Sequence, residues 1–266
     1  MKYRMKNRHM RYKLLALLVV CVLSCTVKAQ ETDKYAQCGP TTQSGWGYML
    51  RAGYVIGGTT PLPLPEEIRS IHKYNPEGGI TLGVDVYKML HRRWGVMAGL
   101  HFFAQGMSTE AEVKNYHMGI TQGEDYLEGN FTGTDVTNTF MTGFTLPLMA
   151  NFRISPRWSV HAGPYLSYLL KTEFDGSVFD GYLREGNPTG PKVNIDRSNP
   201  ATYDFGNDMR KWLWGVQLGV DWRAARHWAL FAALDWGMNG IFHSDFKTVD
   251  FALYPLYAKV GAAYHF

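Results

Sequence analysis

Nine ionisable side chains are the first candidates for chemistry: Arg51, Asp85, His101, Arg153, His161, Asp221, Asp235, Lys259 and His265. Ser159 stands two residues before His161, so on an extended strand both point to the same side, as a nucleophile and its base must. Nothing in Ser159-Val160-His161 supplies the acidic group that would orient the imidazole. The same nine residues also read as a network of ion pairs and hydrogen bonds inside a barrel, because charges taken out of water must be paired. The network is the expectation, with no catalytic residue, no cofactor and no metal site.

Two further stretches carry polar chemistry. Residues 107–138 hold Glu110, Glu112, Glu124, Asp125, Glu128 and Asp135 against Lys114 alone. Hard divalent cations take carboxylate oxygens, and such a group could bridge to lipopolysaccharide. The spacing matches no calcium loop, so plain solvation of an exposed loop is the simpler reading. Residues 172–211 place Phe174, Phe179, Tyr182 and Tyr203 among glycines, prolines and charges. That composition suits a protein- or glycan-binding loop, or a cover over a barrel mouth. Asn130-Phe131-Thr132 has the form of a glycosylation acceptor and is read as incidental. No phosphate-binding glycine loop, zinc-ligand spacing, or protease or nuclease constellation is found.

The elements that must position these residues show as alternation. Eight segments have period two: 46–56, 78–90, 94–106, 139–154, 157–171, 212–224, 227–238 and 254–266. In one of them Trp212, Trp214, Val216, Leu218, Val220 and Trp222 oppose Leu213, Gly215, Gln217, Gly219 and Asp221. Successive strand residues face opposite sides, so one set meets lipid and the other fills a lumen. Each segment is long enough to cross a bilayer when tilted. The spacing predicts an all-β, eight-stranded antiparallel up-and-down transmembrane β-barrel over 46–266.

The connections follow one rule. Three gaps are very short: His91-Arg92-Arg93, Ser155-Pro156 and Ala225-Arg226. The other four are long: 57–77, 107–138, 172–211 and 239–253. Short turns on one side and long loops on the other characterise bacterial outer-membrane barrels, whose long loops face outward. Trp46, Trp94, Trp158, Trp222 and Trp228 flank the short-turn end, while Tyr54, Tyr168, Trp212 and Trp236 flank the other. Amphipathic rings favour such interfaces. A soluble barrel would put its apolar set inside. The lumen of eight strands is nearly filled by side chains, which predicts a plugged barrel with no stable channel.

The first residues read as export machinery. Lys2 to Lys13 form a basic stretch, Leu14 to Leu23 an apolar run, and Val27-Lys28-Ala29-Gln30 a cleavage site. A signal peptide over 1–29 and a short periplasmic segment over 30–45 are expected. A lipid-bearing Cys25 is the alternative. Residues 1–29 hold seven of the 27 Lys and Arg and none of the 23 acids, so the remainder changes from net +4 to net −3. That balance argues against nucleic acid as a partner. Of three cysteines only Cys38 follows the cleavage site, so no internal disulfide is available.

Leu146-Pro147-Leu148-Met149-Ala150-Asn151-Phe152 and Val160-His161-Ala162-Gly163-Pro164-Tyr165-Leu166-Ser167-Tyr168-Leu169-Leu170 resemble the fourth and fifth strands of the PorT-like outer-membrane β-barrel family of Bacteroidetes. Asp235-Trp236-Gly237-Met238-Asn239-Gly240-Ile241 is similar, more loosely, to the end of its seventh. Ala262, Tyr264 and Phe266 resemble the terminal signal read by barrel-assembly machinery. The resemblance implies outer-membrane location and a fold, with a secretion-accessory role among those known in the family. Pro147 and Pro164 should cost ladder hydrogen bonds.

The resulting expectation is a non-enzymatic envelope barrel with a structural or interaction role in a Gram-negative outer membrane. Its partners would be outer-membrane lipid and lipopolysaccharide, the barrel-assembly machinery and an envelope protein. Transport of a small hydrophobic solute through a lateral opening is the second class. A lipid-modifying barrel enzyme is the third.

Overall fold

Strands form where alternation gives each face a different neighbour, and here they run well past the segments that alternation alone marks. The computed structural model describes residues 46–61, 65–123, 125–243 and 252–266. The expected signal peptide, the 30–45 segment, Cys25 and Cys38 lie outside the described residues, as do Glu124 and part of the connection 239–253.

The described residues form ten strands: β1 Trp46–Pro61, β2 Ile68–Met89, β3 Trp94–Gln122, β4 Asp125–Arg153, β5 Trp158–Glu185, β6 Lys192–Ile195, β7 Ala201–Asp204, β8 Trp212–Arg223, β9 Trp228–Gly237 and β10 Leu253–His265. Eight of them close a ring in the order β1, β2, β3, β4, β5, β8, β9, β10 and back to β1, every pairing antiparallel. The closed ladder leaves no strand edge inside the membrane, where an unpaired backbone group has no water to bond.

The two faces differ as the alternation requires. Leu218 is 57% exposed while its neighbour Gln217 is 3% exposed. Along β8 and β9 every outward residue but Val220 is exposed, and every inward one but Arg223 is buried. The outward set is Trp, Leu, Val and Ala, which only a lipid solvent accommodates over so large an area. At the short-turn rim the rings of Trp158 and Trp222 lie 6.2 Å apart, and those of Trp94 and Phe152 4.7 Å apart. Near the other rim Tyr168 and Trp212 pack at 4.8 Å.

The prolines interrupt the ladder as expected. Between β3 and β4 pairing stops at Ala98–Leu148 and resumes at His101–Thr145. Between β4 and β5 it stops at Pro147–Tyr165 and resumes at Ala150–Ala162. Register is unchanged across both gaps, so the missing N–H groups weaken the ladder locally without slipping it.

The long connections are corrected by the structure. Residues 107–138 are not a loop: β3 and β4 continue paired up to Gln122–Asp125, beyond the lipid-facing band. The strands β1, β2 and β5 likewise extend past the ends expected for them. Above the membrane β7 pairs with β5 and touches β3 at Thr121–Thr202, closing a smaller ring of β3, β4, β5 and β7. β6 adds to the tip of β5. In this extension the apolar residues turn inward: Val113, Ile120, Phe131, Val178, Leu183 and Ile195 are buried. Outside the bilayer the solvent is water, so the alternation reverses its sense.

Candidate functional site

The lumen holds the nine candidates in layers set by strand register. Toward the short turns lies an apolar layer of Met49, Tyr87, Met97, Met149, Ala229 and Phe231. Next along the strands comes a belt of charge. Arg51 donates from Nε to Asp85 Oδ2 at 2.6 Å, from Nη1 to Asp221 Oδ1 at 2.8 Å and from Nη2 to Asp221 Oδ2 at 3.1 Å. His101 Nε2 lies 2.8 Å from the other oxygen of Asp85. An ionised carboxylate only accepts, so that contact requires the proton on Nε2. His161 Nδ1 stands 3.3 Å from Asp221 Oδ2, near enough for attraction but not aligned as a hydrogen bond. The guanidinium also rests 4.9 Å from the Phe231 ring centre. One step toward the long end, Lys259 Nζ meets Asp235 Oδ2 at 2.5 Å.

Glycines make room for the belt. Gly83 is opposite His101 and Gly219 is opposite His161 on the neighbouring strands. A methyl group at either would enter the imidazole ring, so each histidine lies flat over its partner strand because nothing projects there.

Arg153 and His265 fall outside the belt. Arg153 is half-buried at the short-turn mouth, where it lines a cavity of about 30 Å³ with Arg157, Arg223 and His265. His265 accepts through its carbonyl oxygen from His227 Nδ1. Seven of the nine residues are thus brought together in the belt, and two lie at the rim. Among the terminal residues Ala262 and Tyr264 are half-buried and Phe266 is exposed, with Tyr264 against Trp228 at 5.1 Å.

The belt is not reachable as an active site. Above it Val55, Phe103, Met141, Leu169, Leu213 and Tyr257 form a second apolar layer that merges with the core of the extension. The space beside Arg51, His101 and His161 is about 10 Å³, the size of a single water at most. Charges so enclosed are fixed by their partners and hold opposite walls together. Ser159 shares the face of His161, whose Nδ1 has no hydrogen-bond partner among the described residues.

Outside the membrane lie groups that alternation did not single out. Asp135, on β4 beyond the lipid band, is buried and accepts from Tyr203 at 2.8 Å and from Thr137 at 3.3 Å. Burial pushes its carboxyl up to about 6, against the pull of those two donors. Burial, reinforced by Asp135, raises the Tyr203 phenol well above its ordinary value. Tyr203 reaches across β5 because Gly176, its pairing partner, offers no side chain there. Phe174 and Tyr203 are therefore core, not a binding loop. Tyr182 and Phe179 are covered by cations, Lys192 at 4.2 Å and Arg197 at 4.5 Å from their ring centres. Ser70, His72 and Glu112 meet on the surface, but Ser70 and Glu112 both approach the same Nε2, at 3.2 and 3.6 Å. No proton relay runs through one nitrogen, so the trio is a surface contact. Among the described residues no three His, Cys, Asp or Glu side chains converge as a metal needs.

The family model of an outer membrane protein beta-barrel domain matches residues 29–243. Among curated proteins none matches the sequence significantly. Among solved structures, the chain is similar to Ail, the attachment invasion locus protein of Yersinia pestis, at 10% identity and a TM-score of 0.36, covering 83% of this chain and 99% of that one. It is similar to the outer membrane protein OprG from Pseudomonas aeruginosa at 14% identity and a TM-score of 0.36, covering 84% and 97%. CarO2 of Acinetobacter baumannii gives 13% identity and a TM-score of 0.37, covering 83% and 99%.

Proposed function

The chain belongs to the outer membrane protein beta-barrel domain family, and on that premise we propose that it is a non-enzymatic anchor displaying a rigid recognition surface outside the cell. The observation that carries this reading is a division of labour along the strands. The membrane-spanning half is sealed by a buried charge belt between two apolar layers, while β3, β4 and β5 run on as a projection whose apolar core continues from the upper layer. A sealed lumen favours display over conduction, and sites on strands are held more firmly than sites on loops. The proline-bearing fourth and fifth strands favour a PorT-like member, with an envelope protein of a secretion system as partner. Lipopolysaccharide would surround the projection at its base. This reading puts the short turns and the C-terminus on the periplasmic side.

The test is made on the whole protein. A cysteine at Tyr126, near the projecting tip, should react with a membrane-impermeant maleimide on intact cells. Purified protein in planar bilayers should give no sustained conductance. Labelling only after cell lysis would reverse the orientation, and steady single-channel currents would replace display with transport.

A further inference from the structure

The short-turn rim carries one sign of charge. Residues 86–94, 153–158 and 222–228 contain seven Lys and Arg and no Asp or Glu. Backbone hydrogen bonds draw four of the arginines into adjacent strand ends. Arg153 N donates to Arg93 O, and Arg223 N donates to Arg157 O, each at 2.7 Å. Like charges on neighbouring strands repel and destabilise a sheet unless an anion lies among them. Among the described residues none of these four is in an ion pair. Asp221 borders the same cavity, but both its oxygens are engaged by Arg51.

The cavity between Arg153, Arg157 and Arg223 has about 30 Å³ of space and opens at the mouth. Two buried polar atoms on its wall have no partner, Asn151 Oδ1 and His265 Nδ1. The Asn151 amide can present its nitrogen by rotation, and an imidazole nitrogen can carry a proton, so both can become donors. Guanidinium forks plus two such donors match the tetrahedral oxygens of a phosphate group. Trp158 also borders the cavity, its ring exposed at the membrane boundary. A ligand there would sit at headgroup depth.

We propose that this rim is a phosphate-binding site whose occupant is the phosphodiester headgroup of an anionic lipid in the adjoining leaflet. Arg153 and Arg223 grip the phosphate, and the remaining cations of the turns supply a diffuse, salt-screened attraction. The site is independent of which leaflet the rim faces and of what the projection recognises.

The experiment is lipid binding to the detergent-purified full chain, followed by native mass spectrometry. Phosphatidylglycerol, phosphatidylcholine and inorganic phosphate are the probes. Wild type should hold one phosphatidylglycerol at least about tenfold more tightly than phosphatidylcholine, because both present a phosphodiester but the choline cation of the second is repelled by the arginines, and about 1.4 kcal/mol of repulsion is tenfold. Millimolar inorganic phosphate should compete with it. The double variant R153Q/R223Q should lose that preference while retaining heat-modifiable gel migration. The turn-tip variant R92Q/R226Q should keep most of it. Should R153Q/R223Q fail to fold, ³¹P NMR of wild type in phosphatidylglycerol nanodiscs should still show a restricted headgroup population that high phosphate releases. Equal binding of both lipids, equal loss in both double variants, or an unrestricted ³¹P signal would overturn the proposal. Retention of inorganic phosphate alone would identify the source as free phosphate and overturn the lipid assignment.

Discussion

Arg51 on β1 and Asp221 on β8 are 170 residues apart in the chain, yet they join across the lumen by two parallel hydrogen bonds of 2.8 and 3.1 Å. A forked guanidinium–carboxylate pair is directional, so it sets the distance between opposite barrel walls. Arg51→Met should leave Asp85 and Asp221 as uncompensated buried charges and destabilise the barrel by about 3–5 kcal/mol. Urea unfolding in detergent measures this. The triple variant R51M/D85N/D221N should recover much of the loss, because neutral amides need no counter-charge. A triple variant no more stable than R51M would show that the guanidinium acts by packing alone.

The second prediction concerns space. Gly219 sits opposite His161, and any Cβ there meets the imidazole. Gly219→Val should displace the ring from Asp221 and cost about 1–3 kcal/mol by overpacking. The temperature at which the compact gel form disappears should fall. Combining Gly219→Val with His161→Ala should restore most of it, since the smaller side chain vacates the clash. Additive losses in the double variant would place the strain elsewhere.

Within the bilayer the architecture was legible because Leu218 and Gln217 have different solvents, and a period of two records that difference directly. The belt was legible for a related reason. Arg51, Asp85, His101, His161 and Asp221 fall on inward positions of strands whose register the alternation sets. The projection was not legible. In 107–138 Glu110, Glu112 and Lys114 face water while Ala111 and Val113 face a core, so the hydrophobic face reverses and resembles a loop. A search for alternation with inverted sense would have found β3 and β4 continuing. The apposition of Asp135 and Tyr203 was beyond reach, because it depends on β7 crossing to close the small ring. Arg153 and His265 have the right parity for the belt but sit too near the strand ends to join it.

Asp135 gives a pH prediction with a definite sign. Its folded-state carboxyl is held at about 6, above the ordinary 3.8, because burial disfavours the ionised form. The folded projection therefore binds that proton more tightly than the unfolded chain does. Stability from this group is fully present below about pH 4, falls between pH 4 and 6, and stays low above. The difference is on the order of 3 kcal/mol. Asp135→Asn keeps an acceptor for Tyr203 and carries no charge, so it should protect the projection from proteolysis at pH 8. The advantage over wild type should vanish at pH 4. Limited digestion at the two pH values checks both statements, and faster cleavage of the variant at pH 8 would contradict them.

The boundary between the two solvents can be located by charge. Leu218 lies at the middle of β8 and faces outward, where a cation must leave water for hydrocarbon. Arg at the midplane of a membrane barrel costs about 2–4 kcal/mol, and the cost declines toward the interfaces. Ile71 is 53% exposed, but it pairs with Ala111 in the projecting part of β2 and β3, on the face opposite to Ser70 and Glu112. Leu218→Arg should therefore lower folding stability in phospholipid vesicles by that amount, while Ile71→Arg should change it by less than about 0.5 kcal/mol, as at ordinary wet surface positions. Denaturant titration of vesicle-folded protein, followed by tryptophan fluorescence, compares the two. A comparable loss at Ile71 would mean that lipid reaches the base of the projection, and the hydrophobic band would have to be redrawn toward it. A negligible loss at Leu218 would mean that the outward face of β8 is covered by something other than lipid.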